Sequence, residues 1–361
     1  MKSKFKLNSS LVSSLIAIGL GLLFGLLIML IVNPSEAFRA FSILIQGGFY
    51  KGLRSVGQVL YNSTPIMMTG LSVAFAFKCG LFNIGTPGQF IVGAFTAVYI
   101  AIKWTFIPDS LVWIVAIIAA GIMGALWALL PGILKAFRNV NEVISCIMMN
   151  YMGMLIVIEL VKSTIYNAAG AESMAVSAAR SIPKMGLDKL FPNSQANFGT
   201  IIAIILCIIA YIIMNKTTFG YELKACGYNS EASRYAGMNE KKSVVLSMVI
   251  AGFFAGVGGA LTYIAGTGRT IALAETLAPE GFNGIPVALL GFNNPIGVIV
   301  SSLFIAYVNV GGNYMQVCNY AIEIIDIIIA AIIYFSSFAL VIKLFLDRRK
   351  NSKKQLIGGK E

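Results

Sequence analysis

The sequence predicts an all-α polytopic membrane protein, and three observations predict it. Hydrophobic residues fill 58% of the 361 positions and charged residues only 12%, with a mean hydropathy of +0.83, a balance that a water-soluble globule of this size does not keep. Predominantly apolar runs near the length a helix needs to cross a bilayer recur along the chain. The lysines and arginines fall mostly between those runs, which gives the polar segments a basic character and the chain a formal charge of +12.

The first run, 11–32, follows Lys2, Lys4 and Lys6 and ends at Asn33-Pro34. Its 22 uncharged residues exceed a signal-peptide core, and no small-x-small cleavage site precedes Asn33, so it reads as a retained span. Further runs cover 56–77, 79–102, 111–134, 143–161, 199–214, 243–268 and 321–342. The uncharged stretch 284–318 has 35 residues and is interrupted by Gly291-Phe292-Asn293-Asn294-Pro295. That is too long for one span, and counted as two short crossings or a broken helix pair it brings the total to about ten. Short halves of this kind need a covering of protein against lipid.

Both ends are rich in lysine and arginine, the C-terminal one through Arg348, Arg349, Lys350, Lys353 and Lys354, so both are expected in the cytoplasm. In that orientation the cytoplasmic segments hold 18 of the 27 lysines and arginines, the expected positive-inside bias. The weakest point is the external stretch 162–198, with Lys162, Arg180, Lys184 and Lys189. Nothing resembles a linker, and the chain reads as one membrane domain over 10–346, with a polar cytoplasmic loop at 215–242 and a basic tail at 347–361.

Several function classes are excluded by residue type. The chain has no histidine, which removes Ser-His-Asp and Cys-His catalysis, His-ligated metals and His proton relays. The scattered Cys79, Cys146, Cys207, Cys226 and Cys318 form no C-x-x-C pair and read as packing residues. No catalytic, cofactor-binding or metal-binding set is visible, and basic charge between apolar runs fits an anionic lipid surface rather than nucleic acid.

Two glycine- and proline-rich segments interrupt the membrane pattern. In 80–89, Thr86 followed by Pro87 reads as an N-cap and first helical residue, so a half-helix is expected to start there with free backbone N–H groups. The segment 279–295 repeats some of the wording, Phe282-Asn283-Gly284-Ile285 beside Phe82-Asn83-Ile84-Gly85, as an inverted repeat of spans two to five in spans seven to ten would. Broken helices of this kind bind substrates in transporters. Asn83, Gln89, Asn283, Asn293 and Asn294 are therefore candidates either for substrate contact or for hydrogen bonds that tie the broken helices down. Asn150, in mid-span, is a candidate for interhelical hydrogen bonding or for the pathway. Gly252, Gly256, Gly258 and Gly259 read as helix-packing residues. Asn141 and Glu142 read as the capped start of span five.

The cytoplasmic loop contains a short helix that can be read residue by residue. Asn229 is a good N-cap, Glu231 puts negative charge in the first turn, Arg234 positive charge near the end, and Gly237 supplies a left-handed stop. It is either a solvated connector or a preformed docking helix.

Residues 227–239, Gly-Tyr-Asn-Ser-Glu-Ala-Ser-Arg-Tyr-Ala-Gly-Met-Asn, resemble the ATPase-coupling loop of the ABC permease family that serves branched-chain amino acids, simple sugars and nucleosides. The likeness runs from about residue 50 to residue 315 and has three more anchors: 80–89, 141–145 and 281–291. The resemblance implies a permease subunit of an ATP-driven importer in a bacterial cell membrane, performing no covalent chemistry itself. It implies as partners ATP-binding cassette ATPase subunits, a second permease subunit, identical or paralogous, and an external substrate-binding protein or lipoprotein. The chain has no G-x-x-x-x-G-K-[ST] loop, so ATP is expected on the partner. The motif wording is most similar to nucleoside permeases of the guanosine type, with ribose-like sugars the alternative. Many members of the family carry an acidic residue where Pro87 stands, so no role of that carboxylate transfers. A different mechanism, a secondary transporter, would use Glu323 and Asp326, three apart on one face of the last span.

Overall fold

The structure is a computed structural model that describes residues 9–338 and 341–344. The basic ends, including Lys2, Lys4, Lys6 and the tail 347–361, lie outside the described residues. The chain is an all-α polytopic membrane protein. Its elements in order are α1 (Ser9–Val32), α2 (Ala37–Gln46), α3 (Leu53–Lys78), α4 (Thr86–Lys103), α5 (Asp109–Arg138), α6 (Glu142–Thr164), a small hairpin of β1 (Tyr166–Asn167) and β2 (Glu172–Ser173), α7 (Leu187–Leu190), α8 (Gly199–Lys216), α9 (Thr218–Tyr228), α10 (Ser230–Tyr235), α11 (Glu240–Tyr263), α12 (Pro279–Leu290), α13 (Pro295–Tyr314) and α14 (Ile322–Ser337).

Six helices among the described residues are long and apolar enough to cross a membrane: α1, α5, α6, α8, α11, and α13 with the turn that extends it to Cys318. The other expected spans fall on helices that are more polar or shorter. Helix α3 has ample length, 26 residues, but carries Arg54, Gln58, Asn62 and a series of hydroxyls. Helix α4 opens on Thr-Pro-Gly-Gln, and α14 has 16 residues. The stretch 284–318 divides unequally: α12 has 12 residues, roughly 18 Å against a hydrocarbon core of about 30 Å, whereas α13 has 20. The division is made at 291–294, where Phe292 and Asn293 take left-handed backbone angles. The Asn293 N–H closes onto the Ala288 carbonyl at 2.8 Å, and the Asn294 side chain accepts the Ile296 N–H at 3.0 Å to start α13.

The chain divides into two compact units. One holds the described residues up to Gly52 together with those from Phe304 onward; the other is Leu53–Leu303. In the first, α1 packs on α14 and α2 on the turn after α13. Ala37, Ala40, Ile43 and Leu44 of α2 form a helical stripe in a core with Met29, Met315, Ile325 and Ile328, and Tyr320 donates its hydroxyl to the Met29 carbonyl at 3.0 Å.

The second unit is built around α11, which packs on α5, α4 and α3 and is buried almost all round from Ala251 to Tyr263. Small residues make this possible. A Cβ on Gly256 would sit 2.2 Å from the Ala120 carbonyl oxygen, and one on Gly259 would sit 2.1 Å from that of Phe90. Backbones therefore touch directly, as dispersion-driven packing in lipid favours. At the other end of α5, Asn139 ends the helix in a left-handed conformation. Asn141 caps α6 by accepting the Val143 N–H at 2.8 Å, and Lys135 pairs with Glu142 at 2.9 Å across the joint.

Candidate functional site

Three neighbouring features of the second unit carry chemistry. The first is the helix break between α3 and α4. Gly80 takes a positive φ of 73°, which glycine adopts without penalty, and the chain then runs without helix to Thr86. Asn83 is fully buried and stands at the centre. Its Nδ2 donates to Ser72 Oγ at 3.0 Å and to Gln89 Oε1 at 2.9 Å, while Gln89 Nε2 donates back to Asn83 Oδ1 at 3.0 Å. The Gly85 N–H adds a further bond to Asn83 Oδ1 at 3.2 Å. Of the two alternatives that the sequence leaves for Asn83 and Gln89, the described bonds are those that tie the break down.

Asn150 of α6 completes the lock. Its Oδ1 accepts the Gly88 N–H at 2.9 Å and its Nδ2 donates to the Ile84 carbonyl at 2.9 Å. A free N–H at the start of α4 is thus satisfied from another helix. The expected capping by Thr86 is corrected: the cap residue is Gly85, and the Thr86 hydroxyl donates backward to the Asn83 carbonyl at 2.9 Å.

The second feature is the connection from α8 to α11. Asn229 caps α10, its Oδ1 accepting the Ala232 N–H at 2.9 Å. Glu231 and Arg234 stand exposed in its first and last turns. Gly237, at a φ of 83°, ends it, with the Met238 N–H on the Ser233 carbonyl at 3.0 Å. The helix has six residues. Tyr228 and Tyr235, which flank it, are each 91% exposed. Ser233 Oγ donates to Cys226 Sγ at 3.3 Å and fastens α10 to α9. Gly227 of α9 then lies against the backbone of Lys78, Cys79 and Gly80, so α9 and the helix break share one surface. Asn293 closes a small cleft there with Lys78, Lys224 and Tyr228.

The third feature was not singled out from the sequence. The segment 264–278 leads from α11 to α12 and lines a cavity of about 120 Å³ with Tyr263, Ile91 and Glu280. Arg269 Nη2 donates to Glu280 Oε1 at 2.5 Å, and its guanidinium lies 5.1 Å from the centre of the Tyr263 ring. Glu280 Oε2 is buried with no hydrogen-bond partner among the described residues. Thr69 Oγ1 donates to the Glu280 carbonyl at 2.9 Å. Thr69 lies nine residues from the Lys78 end of α3, about 14 Å along the helix axis, so the Glu280 end of the cavity lies at that depth. Gly281 lets α12 start directly against Pro87 of α4, with 2.5 Å between a would-be Cβ and the Pro87 Cα. The proline-led starts of the two helices meet there.

The long connector 165–198 holds this segment in place. The Ser173 N–H donates to the Ile271 carbonyl at 2.9 Å, Leu273 to Ala171 at 3.2 Å, and Ile182 to Ile264 at 2.8 Å. In the same connector, Arg180 donates to the carbonyls of Ala101 and Trp104 at 2.9 and 2.6 Å and pairs with Asp109 at 3.0 Å. That pairing neutralises one of the positive charges that weaken the orientation rule in this stretch.

The similar wording at Phe82-Asn83 and Phe282-Asn283 does not reflect similar conformation. Asn83 lies in the non-helical break, whereas Asn283 is in the second turn of α12, half-buried and without a hydrogen bond among the described residues. The expected segment 279–295 is interrupted at 291–294, and a further non-helical segment, 264–278, precedes Pro279. Asn294 serves as the cap of α13. Glu323 and Asp326 are exposed in the first turns of α14 and have no ion-pair partner among the described residues.

Residues 55–337 match the family model described as branched-chain amino acid transport system / permease component. The chain is similar to the guanosine ABC transporter permease protein NupP of Bacillus subtilis, 37% identical over 95% of this chain and 97% of the relative. It is 36% identical to the nucleoside ABC transporter permease protein NupB of Lactococcus lactis, over 94% of each chain. A second guanosine ABC transporter permease protein of Bacillus subtilis, NupQ, is 28% identical over 70% of this chain and 79% of its own length. No solved structure matches the chain.

Proposed function

The chain belongs to the branched-chain amino acid transport system permease family, and on that premise we propose that it is the membrane-spanning subunit of an ATP-driven importer of nucleosides. The observation that carries the substrate class is likeness to guanosine and nucleoside permeases over nearly the whole of both chains. In this reading both termini are cytoplasmic, as is α10, and the second break opens toward the outside. ATP is bound and hydrolysed by a separate ATPase subunit that docks on α10, where Asn229 and Gly237 hold the helix and Glu231 and Arg234 offer both charges. Bulky exposed tyrosines beside a rigid, capped helix are the anchors that protein interfaces use. The existence of two related guanosine permeases in one bacterium supports a paralogous second permease as partner. An external binding protein delivers the solute.

Within the pathway, Asn83, Gln89 and Asn150 support the start of α4, and Asn294 the start of α13. Asn283 and Asn293 keep polar atoms free for a passing solute. The test is co-purification from mild detergent with the ATPase, followed by uptake of guanosine, adenosine and ribose in vesicles containing the complete importer. Glu231→Ala with Arg234→Ala is expected to reduce ATPase recovery and uptake together. Recovery and uptake at the unaltered level would exclude α10 as the docking helix, and uptake of ribose without guanosine would move the substrate to the sugars.

A further inference from the structure

We propose that the carboxylate of Glu280, held by Arg269 beside Tyr263, is the point inside the membrane domain where an uncharged solute is recognised through a hydroxyl or N–H donor. This rests on the nucleoside reading above and adds to it a specific recognition atom. Arg269 and Glu280 line the same cavity as Tyr263, Ile91, Ile271 and Leu277. One carboxylate oxygen is taken by Arg269, and the other is buried and has no partner among the described residues. A buried acceptor left unpaired is costly in a dry interior, and a charged one more so.

The pair has a chemical logic for a neutral cargo. Arg269 and Glu280 offset each other's charge, so the pair does not favour an ion of either sign over an uncharged molecule. The open oxygen is an acceptor only, so its complement must bring a donor. Nucleosides carry such donors on the sugar, as hydroxyls, and on the base, as N–H groups. Tyr263, 8% exposed, lines the same space behind the Arg269 guanidinium, which lies over its ring. The pair is also well supported: Thr69 fixes the Glu280 backbone, and the Thr270 hydroxyl on Glu172 fixes the segment beside Arg269.

A purely structural ion pair is the competing explanation, and a paired substitution separates the two. Arg269→Gln with Glu280→Gln removes both charges and leaves two amides able to hydrogen-bond across the same gap. The complete importer carrying this double substitution is compared with the unaltered one for assembly, thermal stability and concentration dependence of guanosine uptake. The expected result is an assembled complex of similar stability whose half-saturating guanosine concentration rises on the order of tenfold, the loss of one hydrogen bond to a charged acceptor. The 2′,3′-dideoxyguanosine arm identifies the donor. If the double substitution affects its uptake as it does that of guanosine, the base or the 5′-hydroxyl donates; if it does not, the 2′- or 3′-hydroxyl does.

An unchanged half-saturating concentration in a stable complex overturns the inference while leaving nucleoside import standing. A complex that fails to assemble, but is restored in both assembly and uptake by Arg269→Leu with Glu280→Met, also overturns it, because the pair would then act through packing. An unaltered importer that takes up no guanosine overturns the nucleoside reading and this inference together.

Discussion

Gly227 of α9 lies directly on the turn that begins at Gly80: a Cβ at Gly227 would stand 2.9 Å from the Gly80 backbone nitrogen and 2.4 Å from the Lys78 carbonyl oxygen. Residues 147 positions apart thus place the α9–α10 surface against the break that precedes α4. The contact is backbone on backbone, with no side chain of Gly227 or Gly80 between the two segments.

Gly227→Val is expected to force these backbones apart. Overpacking of this kind destabilises by about 1–3 kcal/mol, more than any change in helix propensity supplies. The measurement is thermal unfolding of the purified protein in detergent, with a lowered midpoint expected, together with uptake, which should fall by a larger factor than the loss of folded protein explains.

The amide pair of Asn83 and Gln89 gives a sharper energetic expectation. Asn83→Leu strands the Gln89 side chain and the Gly85 N–H in a dry environment, a loss of about 1–3 kcal/mol. Adding Gln89→Leu should cost less than it does alone, since its partner has already gone. A double-mutant cycle should return a coupling of about 0.5–3 kcal/mol, and additive effects would mean that the two amides act independently.

At Gly256 the neighbouring atoms are backbone and have no room to move. Gly256→Leu places a side chain where the Ala120 carbonyl oxygen stands, and the expected outcome is loss of monodisperse protein in detergent. Thr96→Ala, on a part-buried hydroxyl that bonds only within its own helix, is the comparison and should behave as the parent does.

Tyr228→Ala and Tyr235→Ala should part stability from coupling. Both rings are almost fully exposed, so the melting midpoint should stay within the range of ordinary surface changes, about 0.5 kcal/mol. ATP-driven uptake should fall at least about tenfold, as truncation of an interface anchor does. Equal recovery of the ATPase subunit with parent and variant would remove the tyrosines from the interface.

Some of this was legible in the chain because the interactions are short-range. Asn229 meets the N–H of Ala232 three residues on, and Gly237 accepts a backbone angle that few other residues tolerate, so the helix at 230–235 can be read from its own residues. The spans are legible for a similar reason, since their length and apolar content answer to the thickness of the membrane. The cap of α4 falls one position before Thr86 because the Thr86 hydroxyl turns back to the Asn83 carbonyl, a choice made by the shape of the break.

The sequence by itself determined that the chain is a helical membrane protein, that its polar loop holds a capped helix, and that its motifs resemble those of ABC permeases. Tertiary structure alone decided that Asn150 would serve the start of α4, that Gly227 would rest on Gly80, and that Arg269 and Glu280 would meet at Tyr263 with one carboxylate oxygen left open. The reason is physical. Hydrophobic length and capping are properties of neighbouring residues, whereas in lipid a polar group must find its partner wherever packing brings a donor or acceptor within reach, and that distance is not written in the spacing along the chain.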